Sequence, residues 1–158
     1  MDKLMINYKS IILFSITLFF VIISSSLIAD DHKDHKKRDK NMTKMTKITI
    51  KIDRIFKSDN IDFTRLVKIG KQLKKLGIEF PDYSKPDSNR GSSKSSMWTE
   101  RELFLDMNQD FVDSVDGFIL AAEKKDKEDA WKKFKVAFDE CQRCHHKFAR
   151  AKINLLED

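Results

Sequence analysis

The sequence predicts an all-α protein, an antiparallel four-helix bundle. Three observations carry that prediction. Apolar residues recur at three- and four-residue spacing in four separate stretches, and no segment alternates with a period of two for long. The chain of 158 residues holds only two Pro and four Gly, too few for a turn-dense β fold. Charged residues make up 35% against 41% apolar, a surface-rich balance that amphipathic helices satisfy. The length fits one domain, and two Cys do not make a disulfide scaffold.

Residues 1–29 stand apart from that domain. Lys3 and Lys9 precede the run Ile11 to Ile23, in which only Ser15 and Thr17 are polar. Ser24, Ser25 and Ser26 follow, then Leu27, Ile28 and Ala29 before Asp30 and Asp31. A weakly positive start, a short apolar stretch and a small-residue exit describe a secretory signal peptide cleaved after Ala29. An uncleaved anchor is the competing reading, since Ile11 to Ala29 approaches the ~20 residues that span a bilayer. The serine cluster favours cleavage. Either way residues 30–158 are expected in the periplasm, free of the membrane after cleavage. The formal net charge of +6 would suit nucleic acid, but an exported protein rarely meets any, so no nucleic-acid partner is expected. Lysines interspersed with acids read as solvated helix faces. A basic docking face for an acidic redox partner is the alternative.

Residues 30–40 contain no apolar side chain and are expected to begin as a polar tail. Met42, Met45, Ile48, Ile52, Ile55 and Phe56 then place a first helix at about 36–57. Ser58, Asp59 and Asn60 supply a turn able to cap a second helix, which buries Phe63, Leu66, Val67, Leu73 and Leu76 and stops at Gly77. Pro81 to Trp98 holds both prolines and several serines and reads as a long crossover loop between two helical hairpins. Thr99 and Glu102 have capping-box spacing at the start of a third helix with the stripe Phe104, Met107, Phe111, Val115, Phe118 and Ala122. Asp126, Glu128 and Asp129 put negative charge at the positive end of a fourth helix, which carries Trp131, Phe134, Phe138, Cys141, His145 and Phe148 on one side. Four helices in two hairpins make a bundle.

Cys141-Gln142-Arg143-Cys144-His145 is the one dense chemical constellation, and C-x-x-C-H is the spacing of c-type haem attachment. On a helix, positions i, i+3 and i+4 share a face, so both sulfurs and the imidazole converge. The thiols can form thioethers to the two haem vinyl groups, and a neutral His145 can ligate iron. Covalent attachment takes place outside the cytoplasm, so the export signal and the motif support each other. Two other chemistries compete. A thioredoxin-like Cys141–Cys144 pair would start a helix after a strand, and none lies upstream. A zinc site could add His32 and His35 to the two Cys, drawing its ligands from the distant polar tail. His146 points about 100° away from His145 and reads as a surface residue.

These residues resemble the class II c-type cytochromes, the cytochrome c′ family, over about Arg38 to Lys152. Members are antiparallel four-helix bundles with C-x-x-C-H near the carboxyl terminus. They often continue with two residues, an aromatic and a basic residue. His146, Lys147 and Phe148 follow that pattern, whereas Ala149 displaces the basic residue to Arg150. Trp98 looks like the family's tryptophan before the third helix. The resemblance implies one covalent haem c per chain, attached through Cys141 and Cys144. It also implies a first-helix residue facing the haem across from His145. That residue is Met in low-spin electron carriers and an apolar non-ligand in members with an open iron.

Arg38-x-x-x-Met42 matches the family's first-helix spacing. By that resemblance Met42 is the candidate sixth ligand and Arg38 lies near a haem propionate. Met45, one turn on, could serve instead, or neither could, because a Met on a bundle helix is commonly core. Met97 and Met107 read as core, and Phe134, Phe138 and Phe148 as packing around the haem. The reading is a periplasmic monohaem cytochrome carrying single electrons to unidentified redox partner proteins, not an enzyme, with a homodimer through the first two helices implied by the resemblance. The alternatives are a five-coordinate protein binding nitric oxide or carbon monoxide, and an interaction module that leaves the Cys pair unused.

Overall fold

The computed structural model describes residues 34–85 and 91–150. The expected signal segment lies outside them. Helix α1 covers 34–56, α2 Phe63–Glu79, α3 Ser96–Thr99, α4 Arg101–Glu123 and α5 Lys127–Phe148, with a 3₁₀ turn at Phe80–Tyr83. The four long helices form the expected bundle. Among the described residues, no helix is long and apolar enough to cross a membrane.

Each neighbouring pair runs antiparallel. Gly70 abuts Phe118 and Ile119, whereas Gly77 abuts Phe111 and Val112, so α2 descends as α4 rises. Phe56 meets Trp131 at one end of α1, and Met42 shares a cavity with Cys144 at the other. Asn41 Nδ2 donates to Leu76 O at 3.1 Å between α1 and α2. The chain therefore goes up, down, up and down, with short turns inside each hairpin.

The apolar stripes assemble two clusters. The larger joins all four helices and ends in a group of rings, Phe56, Phe118, Trp131 and Phe134, with centroids 5.0–6.3 Å apart. The smaller holds Phe80, Met97, Phe104, Met107 and Phe148. Phe134 thus packs in the end remote from the C-x-x-C-H motif and not around it, correcting its expected place.

Several local expectations need correction. Gly77 does not stop α2, which continues to Glu79. A Cβ there would lie 2.9 Å from the Phe111 ring, so Gly77 serves the close approach of two helices. The cap of α2 is Asp62, whose carboxylate accepts from Arg65 N at 2.9 Å. Ser58 instead donates to Ile55 O. Phe63, Val67 and Leu76 are only half-buried, and Ile69 takes a core position beside Leu66 and Leu73. Thr99 forms no capping box because it is itself the last residue of α3, and Glu100 occupies the junction with its N–H bonded to Ser96 O. The expected loop over 81–98 is broken by the 3₁₀ turn and by α3. Asp126 does cap α5, accepting from Asp129 N at 3.0 Å.

The turn between α4 and α5 uses a Schellman geometry: Lys125 N donates to Ala122 O and Asp126 N to Ala121 O. Lys125 has φ +58°, the left-handed region that glycine adopts without steric cost. Lys125→Gly should stabilise the fold by about 0.5–1 kcal/mol. Gly77→Val should destabilise it by about 1–3 kcal/mol through overpacking against α4. Urea unfolding of the two variants checks both.

Candidate functional site

The last turns of α5 carry Cys141, Cys144 and His145 on one side, facing α1 across the gap between the two core clusters. Two cavities open there. The smaller, about 50 Å³, is lined by Met42, Met45, Phe80, Met107, Phe138, Cys141, Cys144 and His145, among others. The larger, about 440 Å³, is lined by Arg38, Met42, Met97, Phe104, Cys144, His145, Phe148 and neighbours. That volume lies within the ~300–1,000 Å³ of small-molecule and cofactor sites. Met42 is the α1 side chain common to both cavities, and it packs against both core clusters.

The donor set is desolvated and neutral. Burial, then the neighbouring Cys144 and Glu140, push the Cys141 thiol up to about 12. Burial and Glu140 push Cys144 up to about 11. Neither is the low-pKa thiolate of a redox pair or a reactive nucleophile. Burial lowers the pKa of His145, keeping its imidazole neutral, and its Nδ1 is buried without a hydrogen-bond partner. Two neutral thiols and a neutral imidazole on an apolar cavity fit a haem held by two thioethers and one axial nitrogen. Both cysteines are free, and no group of three or more possible metal-binding side chains occurs among the described residues. The zinc arrangement with His35 is therefore not assembled; His32 lies outside the described residues.

Arg38 is 3% exposed and lines the larger cavity. Its Nη1 donates to Tyr83 O at 3.0 Å, and its guanidinium lies 5.5 Å from the Trp98 ring centroid. Trp98 Nε1 in turn donates to Lys85 O at 2.7 Å. Arg101, which the sequence reading passed over, donates to Ser84 O at 2.6 Å and Pro81 O at 3.2 Å while covering the Phe104 ring. Two arginines and one indole thus bond the carbonyls of Pro81, Tyr83, Ser84 and Lys85, in the segment that follows the cavity-lining Phe80. Backbone carbonyls as partners leave no motif to read. The outer wall is a single antiparallel bridge between Ser93 and Ala149, with Lys94 N donating to Phe148 O and Arg150 N to Ser92 O. Arg150 is exposed there. His146 is exposed, as expected. Met97 and Met107 are buried core that also faces the cavities.

The chain matches the family model for Cytochrome C′ over residues 33–149. No curated protein sequence matches. Among solved structures, the reduced form of an arginine-to-alanine variant of cytochrome c′ from Alcaligenes xylosoxidans superposes with a TM-score of 0.73 at 20% identity, covering 77% of this chain and 97% of that one. The nitric oxide complex of a leucine-to-alanine variant from the same organism gives the same four values. Likeness at that identity establishes the shared fold.

Because the folded thiols keep protons that unfolded thiols lose near their ordinary pKa of 9.0, the haem-free chain should lose stability as pH rises from there through about 11 for Cys144 and about 12 for Cys141. At about pH 8, iodoacetamide should alkylate the folded haem-free chain at least about tenfold more slowly than the denatured chain. Equal rates would show that the thiols are not desolvated.

Proposed function

The chain belongs to the cytochrome c′ family, whose cofactor is covalent haem c, and on that premise we propose that it is a periplasmic single-electron carrier with iron held between His145 and Met42. Cys141 and Cys144 tether the haem, which supplies the one-electron chemistry. The observation that carries the reading is the place of Met42, the one α1 side chain lining both cavities together with Cys144 and His145. A thioether there favours ferrous iron and raises the reduction potential, as suits a carrier. Met42 and His145 sit on two long helices pinned by the same core, which limits rearrangement between redox states. Arg38, buried at the larger cavity, is the cation beside which a haem propionate would lie. Met45 is buried and lines only the smaller cavity, which supports a packing role.

A second reading is supported by the smaller cavity itself. Its lining is largely apolar, and two of its polar side chains are already engaged: Thr49 donates to Met45 O and Asn108 to Gly77 O. Such a site suits a small neutral gas at an open iron. Three of the solved Alcaligenes xylosoxidans cytochrome c′ structures that this chain resembles hold nitric oxide.

Visible spectra of the haem-loaded protein, ferric and ferrous, with and without carbon monoxide, separate the two. The carrier reading expects a low-spin ferrous spectrum that ignores the gas, and a Met42→Ala variant whose gas affinity rises at least about tenfold. Met45→Ala should leave the spectrum unchanged. A high-spin wild-type spectrum that shifts with carbon monoxide would demote Met42 to packing and put gas binding first.

A further inference from the structure

We infer that Lys94 and Ser96 are positioning residues for His145: from outside α5 they cap the last turn, the turn that carries it. An α-helix leaves its last four carbonyls without partners inside the helix. At the end of α5 each of the four has one. Ala149 N donates to His145 O at 2.9 Å. The other three donors come from the segment ahead of α4. Lys94 Nζ donates to His146 O at 2.8 Å, Ser96 Oγ to Lys147 O at 3.3 Å, and Lys94 N to Phe148 O at 2.7 Å. Lys147 Nζ also meets Glu100 Oε2 at 2.6 Å, tying the same turn to the junction of α3 and α4.

The reason for such a cap lies in His145 itself. A ligating imidazole is ordinarily oriented by donating its second ring N–H to a carboxylate, a carbonyl or a water. His145 Nδ1 is buried and has no hydrogen-bond partner among the described residues. The direction of the ring is therefore set by the backbone beneath it. That backbone is the last turn of a helix, the part that frays first. Three donors from a different segment remove that freedom. An ammonium at a helix C-terminus also opposes the negative end of the helix dipole.

The capping segment leans on α1 as well. A Cβ on Gly91 would fall on the His35 ring, so the backbone at 91 lies directly against α1. Met97 lines the larger cavity, and the Trp98 ring lies 5.5 Å from the Arg38 guanidinium. Residues 91–98 thus touch the helix of Met42 and the helix of His145 together. A cap anchored there fixes His145 relative to the whole cavity mouth, not merely along α5. The inference rests on His145 as the iron ligand, and it stands whether the sixth position holds Met42 or is open.

Resonance Raman spectra of the ferrous, haem-loaded full chain read the iron–His stretching band, in a Met42→Ala background that removes the candidate sixth ligand. Lys94→Met with Ser96→Ala should shift and broaden that band, and Lys94→Arg should leave it unchanged. In the double variant the Ala149 amide should exchange hydrogen at least about tenfold faster, with the Phe111 and Val115 amides of α4 unaffected. Lys132→Met, which removes the same charge from the remote half of α5, should alter neither reading. Faster exchange with an unmoved band would reduce the pair to a structural cap and overturn the positioning role. An equal band shift in Lys132→Met would overturn it too, as an effect of charge alone. Covalent haem without any iron–His band would overturn it through the ligand, a failure distinct from that of the cap.

Discussion

The structure depends on keeping one end of a four-helix core open yet dry. Three donors at i, i+3 and i+4 on α5 point inward, and none can be left charged in an apolar interior without a large desolvation cost. The bundle meets that constraint by dividing its core. Phe56, Phe118, Trp131 and Phe134 hold the helices together at the remote end. Phe80, Phe104, Met97, Met107 and Phe148 form a second cluster at the motif end; the smaller cavity lies between the two clusters, and the larger is lined by the second.

An open core exposes backbone that closed packing would otherwise protect, so the segment 81–85 needs partners for its carbonyls. Arg38, Arg101 and Trp98 supply them at Pro81, Tyr83, Ser84 and Lys85, and each also takes part in a cation–ring contact. The same segment directly follows Phe80, which lines both cavities. Cofactor space and the polar clamp around it are consequently one mechanical unit.

What the sequence made legible is what sits within one helix. The stripes of α1, α4 and α5, the Asp126 cap and the convergence of Cys141, Cys144 and His145 all follow from spacing alone. What it hid depends on a neighbour. Gly77 looked like a helix stop because the ring of Phe111 above it is thirty-four residues away in sequence. Thr99 and Glu102 had capping-box spacing, but a short helix ending at Thr99 claimed the junction first. Phe134 shares the stripe of Phe138, yet one turn separates the remote ring cluster from the cavity.

The divided core holds its cavities open for one covalent haem, tethered through Cys141 and Cys144. Intact mass of the chain matured with a haem-attachment system, taken after acid–acetone extraction, tests it most directly. The expected mass is that of the chain plus one haem, reduced to the bare chain when both cysteines are changed to alanine. A wild-type chain that loses all haem in acid–acetone and shows two free thiols would contradict it.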